Sequence, residues 1–189
     1  MYPVSRRSQR LELRELTLDD VDAVFAIYGS HEATEHLSFE PRTREDVGHI
    51  LARSIASATE RPRTEYALAV VERSARHLIG FGRLAGDPHQ QQAATMGFAL
   101  HPDAWGAGLG TETVHLLLCL GFEDQGLHRI WGARSPLNEA SARTMLRAGM
   151  VEEGRIREHV QKNGRWRDSI VHAALSHEWD NPSLPDEAG

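Results

Sequence analysis

The chain opens on an alternation: Leu11 and Leu13 interleave with Glu12 and Arg14, which predicts a strand near residues 9–16. The period then lengthens. Val21, Val24, Phe25 and Tyr28 recur at helical intervals behind the capping-box pair Thr17 and Asp20, so a helix should run from Thr17 to about Gly29. Thr43 and Asp46 repeat the box ahead of Val47, Ile50, Leu51 and Ile55, predicting a second helix to about residue 59 that Arg61-Pro62 closes. Two β-type runs follow, Glu65–Val71 and Leu78–Leu84, with a turn at Glu72–Arg76. After the polar loop Gly86–Gln92, Ala94–Leu100 reads as a strand and His101–Gly110 as a loop of turn formers. Val114, Leu117, Leu118 and Phe122 mark a helix over Thr111–Asp124. His128–Arg134 is then a strand and Asn138–Ala148 a helix, and Val151–Val160 and Ser169–Leu175 form a hairpin around Lys162-Asn163-Gly164. This order is that of an α/β domain with a mixed sheet.

At 189 residues the chain can bury one sizeable core but not two comfortable ones. A net charge of −6 argues against general nucleic-acid binding, which needs a basic face, and suits a cationic substrate. Part of that excess sits in the terminal Asp180, Asp186 and Glu187, read as a solvated tail. No run approaches the roughly 20 apolar residues of a membrane span. The basic start lacks an apolar segment behind it, which argues against a secretory signal. A single cysteine, Cys119, excludes an internal disulfide framework and fits the cytoplasm. It lies in the apolar run Val114–Leu120 and is expected to pack rather than react.

The most chemical segment is Trp105-Gly106-Ala107-Gly108-Leu109-Gly110-Thr111, between a strand and a helix. Alternate glycines let the backbone turn tightly and approach a ligand, and free amides at the following helix start face outward for phosphate oxygens. The helix dipole adds about 0.3–1 kcal/mol for an anion there. A Walker loop would need Gly-Lys-Ser/Thr, but Thr111 and Glu112 follow Gly110. A Rossmann turn would need another glycine spacing and an acidic end to the next strand, which instead ends in Arg134. Taken alone, the glycines are equally a ligand-free helix start. The histidines show no metal spacing: His31 and His36 are a five-residue step apart, where a helical zinc pair needs i and i+4.

From Thr95 to about Trp179 the chain resembles GNAT acetyltransferases of the RimJ/RimL-like, ribosomal-protein N-terminal subgroup. The matching pieces are TMGFALHPDAWGAGLGTET, GLHRIWGARSPLNEASARTML, RAGM and GRIREHVQKNGRWRDSIVHAAL, in the family's order and spacing. The resemblance implies one GNAT-type domain over residues 9–179, with about six to seven strands and about four helices, and terminal extensions 1–8 and 180–189. It implies that Ala94–Leu100 and His128–Arg134 splay apart, so that pantetheine pairs with Phe98, Ala99 and Leu100 like an added strand. The diphosphate of acetyl-CoA, or another short acyl-CoA, would then sit on the Trp105–Thr111 turn, chiefly on the amides of Gly106, Gly108, Gly110 and Thr111. Asn138 is suited to N-capping and resembles the residue that touches the pantetheine arm; both roles are compatible. Ser141 occupies the position that faces the thioester sulfur, or is simply a small surface residue. Arg143 and Arg147, one helical turn apart, are exposed arginines within reach of a 3′-phosphate.

In such enzymes the amine attacks the thioester directly, so catalysis rests on positioning and on an oxyanion donor expected in the Phe98–Leu100 strand. Two departures stand out. Thr95 replaces a glutamate base and Met145 a tyrosine acid common among relatives, leaving Ser141 as the substitute donor to the thiolate. An α-amine of pKa about 8 is roughly a tenth neutral at pH 7, and a lysine well under ~0.1%. A missing base therefore favours a peptide N-terminus, an amino acid or an amino sugar as acceptor. Glu40, His36, His101 and Glu158 are candidates for a base acting through water. Trp105 and Trp166 are candidates for the acceptor entrance, and the hairpin for a homodimer contact of the kind relatives often make. A GNAT-like domain that binds acyl-CoA without turnover, as a sensor or structural partner, is the alternative.

Overall fold

The computed structural model describes residues 2–182; Asp186 and Glu187 of the predicted tail lie outside them. Eight strands form one sheet in the order β1-β2-β3-β4-β5-β6-β8-β7. They are β1 (Ser5–Arg7), β2 (Leu11–Glu15), β3 (Glu65–Glu72), β4 (His77–Gly86), β5 (Ala93–Leu100), β6 (Arg129–Arg134), β7 (Val151–Lys162) and β8 (Arg165–Leu175). The helices are α1 (Val21–Tyr28), α2 (His31–Thr34), α3 (Arg44–Ser57), α4 (Leu109–Cys119) and α5 (Glu139–Arg147).

Every predicted strand and helix is present, with ends shifted by a few residues. Besides 3-10 turns at Leu18–Asp20 and Pro102–Ala104, one strand and one α-helix are additional among the described residues. Ser5–Arg7, assigned by sequence to the N-terminal extension, pairs antiparallel with Glu12–Arg14. The single turn α2 starts at Ser30, whose hydroxyl caps Ala33 N at 3.2 Å. Neither carries an apolar period, so pattern alone does not reveal them.

The capping boxes form as expected. Thr43 Oγ1 accepts from Asp46 N at 3.1 Å while Asp46 Oδ2 accepts from Thr43 N at 3.1 Å, fixing where α3 begins. Each sheet face carries its own core. On one, Leu11, Leu13, Leu68, Val70 and Met96 pack against Val114, Leu117 and Leu118 of α4 and Met145 of α5. On the other, Ala67, Ala69, Phe81 and Ala99 pack against Val24, Ile27, Val47 and Leu51 of α1 and α3. Each fully buried Leu or Val contributes about 1.5–3 kcal/mol of burial, and β3, at mid-sheet, is apolar on both faces for that reason. No helix among the described residues is long and apolar enough to cross a membrane.

One junction positions everything that follows. All neighbouring strands are antiparallel except β5 and β6, which run parallel and pair only over Ala93–Thr95 and Arg129–Trp131. Beyond Thr95 the two strands separate, so the edge of β5 from Met96 to Leu100 lacks a strand partner on that side.

Candidate active site

The gap between β5 and β6 opens into a cleft of about 900 Å³. One side is walled by α4, α5 and the glycine turn. The opposite side is walled by β4, β8 and the segment from Tyr28 to Phe39.

Ladder phase decides which main-chain groups face the gap. His101 N donates to Ile79 O and Asp87 N to Ala93 O, each at 2.8 Å, so odd-numbered residues of β5 bond to β4. Met96, Phe98 and Leu100 therefore turn their main-chain groups toward the gap. Trp105 Nε1 donates to Leu100 O at 3.1 Å and takes that acceptor. Phe98 has no partner for its N–H or its C=O among the described residues, and both groups face the gap. The sequence expectation named Phe98, Ala99 and Leu100 together; the register singles out Phe98, while the Ala99 main chain belongs to β4.

The glycine turn is built by two positive φ angles, 82° at Gly106 and 75° at Gly108, a region that L-residues enter at a cost of about 1–2 kcal/mol. Gly108 is the N-cap of α4, and no side chain caps that turn among the described residues. The first intrahelical bond runs from Glu112 N to Gly108 O at 3.2 Å, so the amides of Leu109, Gly110 and Thr111 precede the ladder. Gly110 faces α5, where a Cβ would stand in ordinary contact 3.4 Å from Thr144 Cγ2. Gly106, Gly108, Gly110 and Thr111 all line the cleft. Ala107 and Leu109, also named from sequence, do not: the Leu109 side chain is buried in the core and Ala107 is exposed.

Sequence reasoning missed what holds this turn from behind. Glu112, 3% exposed, accepts from Arg10 N at 3.0 Å, from Arg10 Nε at 2.8 Å and from the Ser8 hydroxyl. Arg10 Nη1 in turn donates to Ala107 O at 2.9 Å. A glutamate on the buried side of α4 was the available signal, because an unpaired buried carboxylate is costly.

On α5, Asn138 Oδ1 caps Ser141 N at 3.0 Å, which leaves the Asn138 amide NH₂ at the cleft. Ser141 lines the cleft as well. Arg143, exposed, pairs with Glu139 at 3.5 Å, and Arg147 is exposed at the helix end; both reach the cleft rim. Met145 is buried, its sulfur 3.8 Å from where a Cβ on Gly132 would stand.

Thr95 faces the other side, its hydroxyl 3.4 Å from Ala85 O. Of the four base candidates only His36 lines the cleft. Glu40 accepts from Asn163 N at 3.2 Å, His101 caps Asp103 N at 3.3 Å, and the main chain of Glu158 donates to Asp168 at 2.8 Å. Glu32, Glu35 and His159 line it too, none of them singled out by sequence. Trp105 is on the wall and Trp166 is not. Cys119 packs as expected: burial pushes its thiol up, away from the reactive thiolate.

Fold and cleft together define a split-sheet α/β domain with an uncapped helix start on the wall of the cleft. The acetyltransferase (GNAT) domain profile matches residues 10–151, and the chain belongs to this GNAT acetyltransferase family. Among similar proteins is an uncharacterized N-acetyltransferase, YoaA, of Bacillus subtilis, 27% identical over 175 residues that cover 93% of this chain and 98% of that one. A [ribosomal protein uS5]-alanine N-acetyltransferase of Escherichia coli is 26% identical over 87 residues, 46% of this chain and 45% of its own. The structure of Mycobacterium smegmatis RimJ in complex with CoA-disulfide superposes with a TM-score of 0.82 at 19% identity, covering 95% of this chain and 90% of that one.

Proposed function

We propose that this acetyltransferase moves an acyl group, acetyl first of all, from acyl-CoA to the primary amine of a peptide N-terminus, an amino acid or an amino sugar. The observation that carries the reading is the continuity of one cleft: free helix-start amides at its mouth, an unpaired strand edge at its middle and a walled chamber beyond. The CoA-disulfide named for the RimJ structure and the alanine N-acetylation named for the uS5 relative support the two substrates.

In this reading the diphosphate lies on the amides of Gly106, Gly108, Gly110 and Thr111, and Arg143 and Arg147 meet the 3′-phosphate. Pantetheine bonds to the free Phe98 groups and to the Asn138 amide NH₂. A neutral amine then attacks the thioester carbonyl from the chamber side. The C–N bond forms as negative charge moves to the carbonyl oxygen, which the Phe98 N–H receives. Collapse breaks the C–S bond, the Ser141 hydroxyl donating a hydrogen bond to the departing thiolate. The amine's extra proton leaves to water, with His36 the candidate on the wall to take it. Thr95 cannot act as a base, so an amine of modest pKa is the favoured acceptor.

A second reading is an acyl-CoA-binding sensor or structural domain without turnover; Thr95 and the buried Met145 at the base and acid positions favour it. Free-thiol release from acetyl-CoA, assayed with peptides, amino acids and aminoglycosides, separates the two. Amine-dependent release supports transfer. Saturable acetyl-CoA binding with no release from any amine supports the sensor. We assign the protein to the cytoplasm on its single buried cysteine, and a homodimer contact to the exposed β7–β8 hairpin.

A further inference from the structure

Two side chains in the acceptor chamber keep donors that no group among the described residues accepts. Arg167 and Ser169 sit two apart on β8, so both project from the same sheet face, the one opposite α4 and α5. Both line the cleft. The register places Ser169 one step beyond the Arg134–Ile170 pair, at the end of β6 where the strands have already separated. Ser169 is 2% exposed, and its hydroxyl makes no hydrogen bond among the described residues.

Arg167 is only half used. Its Nη1 donates to His36 O at 3.1 Å and Leu37 O at 3.5 Å, while its buried Nε has no partner. No carboxylate among the described residues pairs with it, whereas its neighbour Arg83 is neutralised by Glu65 at 2.7 Å. Burial holds the Arg167 guanidinium below the usual arginine range, with nothing opposing that effect. A partly dry cation without a counter-charge among the described residues, beside a free hydroxyl, is suited to an anion.

We propose that Arg167 and Ser169 form a subsite for a carboxylate that the acceptor carries a few bonds from its attacking amine. The inference rests on the transferase reading and narrows its acceptor. The guanidinium takes one oxygen through Nη2, which makes no hydrogen bond among the described residues, and the Ser169 hydroxyl donates to the other. Exposed Glu32 and Glu35 at the chamber wall attract the ammonium of an incoming acceptor. The pattern therefore suits a molecule with both charges: a free amino acid, or a peptide whose first residues are acidic.

The test uses matched acceptors with rates expressed per neutral amine: alanine against alaninamide, and peptides beginning Ser-Asp against Ser-Asn. The first pair reads an α-carboxylate and the second a side-chain carboxylate. Wild type should prefer the carboxylate in one pair by about tenfold or more in kcat/KM, the worth of a charge-assisted bond. Arg167→Met should shrink that preference below threefold and Ser169→Ala reduce it in part, both leaving KM for acetyl-CoA unchanged.

Equal use of acid and amide in both pairs overturns the proposal, as does a preference that survives in Arg167→Met. Lys162→Met controls for the chamber roof, because Lys162 Nζ donates to Glu35 O at 2.8 Å and Leu37 O at 3.3 Å. If that variant erases the preference equally, the roof sets it and the subsite is refuted. Absence of thiol release with every amine sinks the transferase reading instead. The subsite is then read without turnover: N-acetylalanine should raise the melting temperature more than its amide, and no difference refutes it.

Discussion

Replacing Arg10 with methionine tests whether the glycine turn is held in shape from behind. The side chain keeps its apolar stem and loses the guanidinium, leaving the Glu112 carboxylate, 3% exposed, without its cation. Two bonds to that carboxylate survive, from the Ser8 hydroxyl and from the main chain at residue 10 at 3.0 Å. The guanidinium contacts at 2.8 Å and the 2.9 Å bond to Ala107 O are lost. Stripping one partner from a buried ion pair costs about 3–5 kcal/mol. Arg10 is itself about a quarter exposed, at 27%, and Glu112 keeps two donors, so about 2–3 kcal/mol is expected. For a chain of this size that lowers Tm by about 4–12 °C in scanning calorimetry. Freeing Ala107 O lets the turn relax, and one hydrogen bond is worth about 0.5–1.5 kcal/mol, so Kd for acetyl-CoA should rise about two- to tenfold. A Tm change under about 2 °C would refute the buried-pair account. A large Tm loss with unchanged acetyl-CoA affinity would refute the coupling of this pair to the turn.

Three further outcomes follow from individual side chains. Asn138→Ala should cost about 1 kcal/mol through the lost cap, whereas Asn138→Asp keeps the oxygen that Ser141 N uses and should cost little; both lose the NH₂, so KM for acetyl-CoA should rise in each. An unchanged KM in Asn138→Asp removes that residue from the pantetheine contact. Ser141→Ala should lower kcat about two- to tenfold with Tm unchanged, as one hydrogen bond to the thiolate predicts, and a loss near 10³-fold would mean a fuller acid role. His172, fully buried, has both ring nitrogens without a hydrogen bond; burial first, then Arg134, lowers its pKa from 6.5, against a raising influence from Glu152 at 3.6 Å. The unfolded chain then binds the proton more readily, so stability is lost as pH falls from 6.5 toward the folded value, by at most about 1.4 kcal/mol per pH unit. Urea unfolding at pH 7 and pH 5 should show this dependence reduced in His172→Leu; an identical dependence in both proteins contradicts the assignment.

Much of the fold was legible because its signals are local. Capping boxes at Thr17 and Thr43, the Asn163-Gly164 turn and the two hydrophobic periods each depend on neighbours in sequence. β1 and α2 escaped because three- and four-residue elements contain no full apolar period. The glycine turn was legible as a tight entry into a helix, since glycine accepts the positive φ found at positions 106 and 108. Its support was not: Arg10 and Glu112 stand 102 positions apart, and only the fold joins them. Phe98 could be separated from Ala99 and Leu100 only after the β4–β5 ladder fixed which residues face the gap. The acceptor chamber was least legible, because its walls come from α2, β5 and β8 at once. Arg167 and Ser169 carry no mark of their own, because they lie in the polar start of β8, Arg165-Trp166-Arg167-Asp168-Ser169, ahead of its apolar half.

The most direct measurement is diffraction from crystals soaked with acetyl-CoA. The account predicts diphosphate oxygens within about 3 Å of the amide nitrogens of Gly108, Gly110 and Thr111, and the thioester oxygen at the same distance from Phe98 N. A nucleotide seated anywhere else, with those four amides bonded to protein or water, would contradict it.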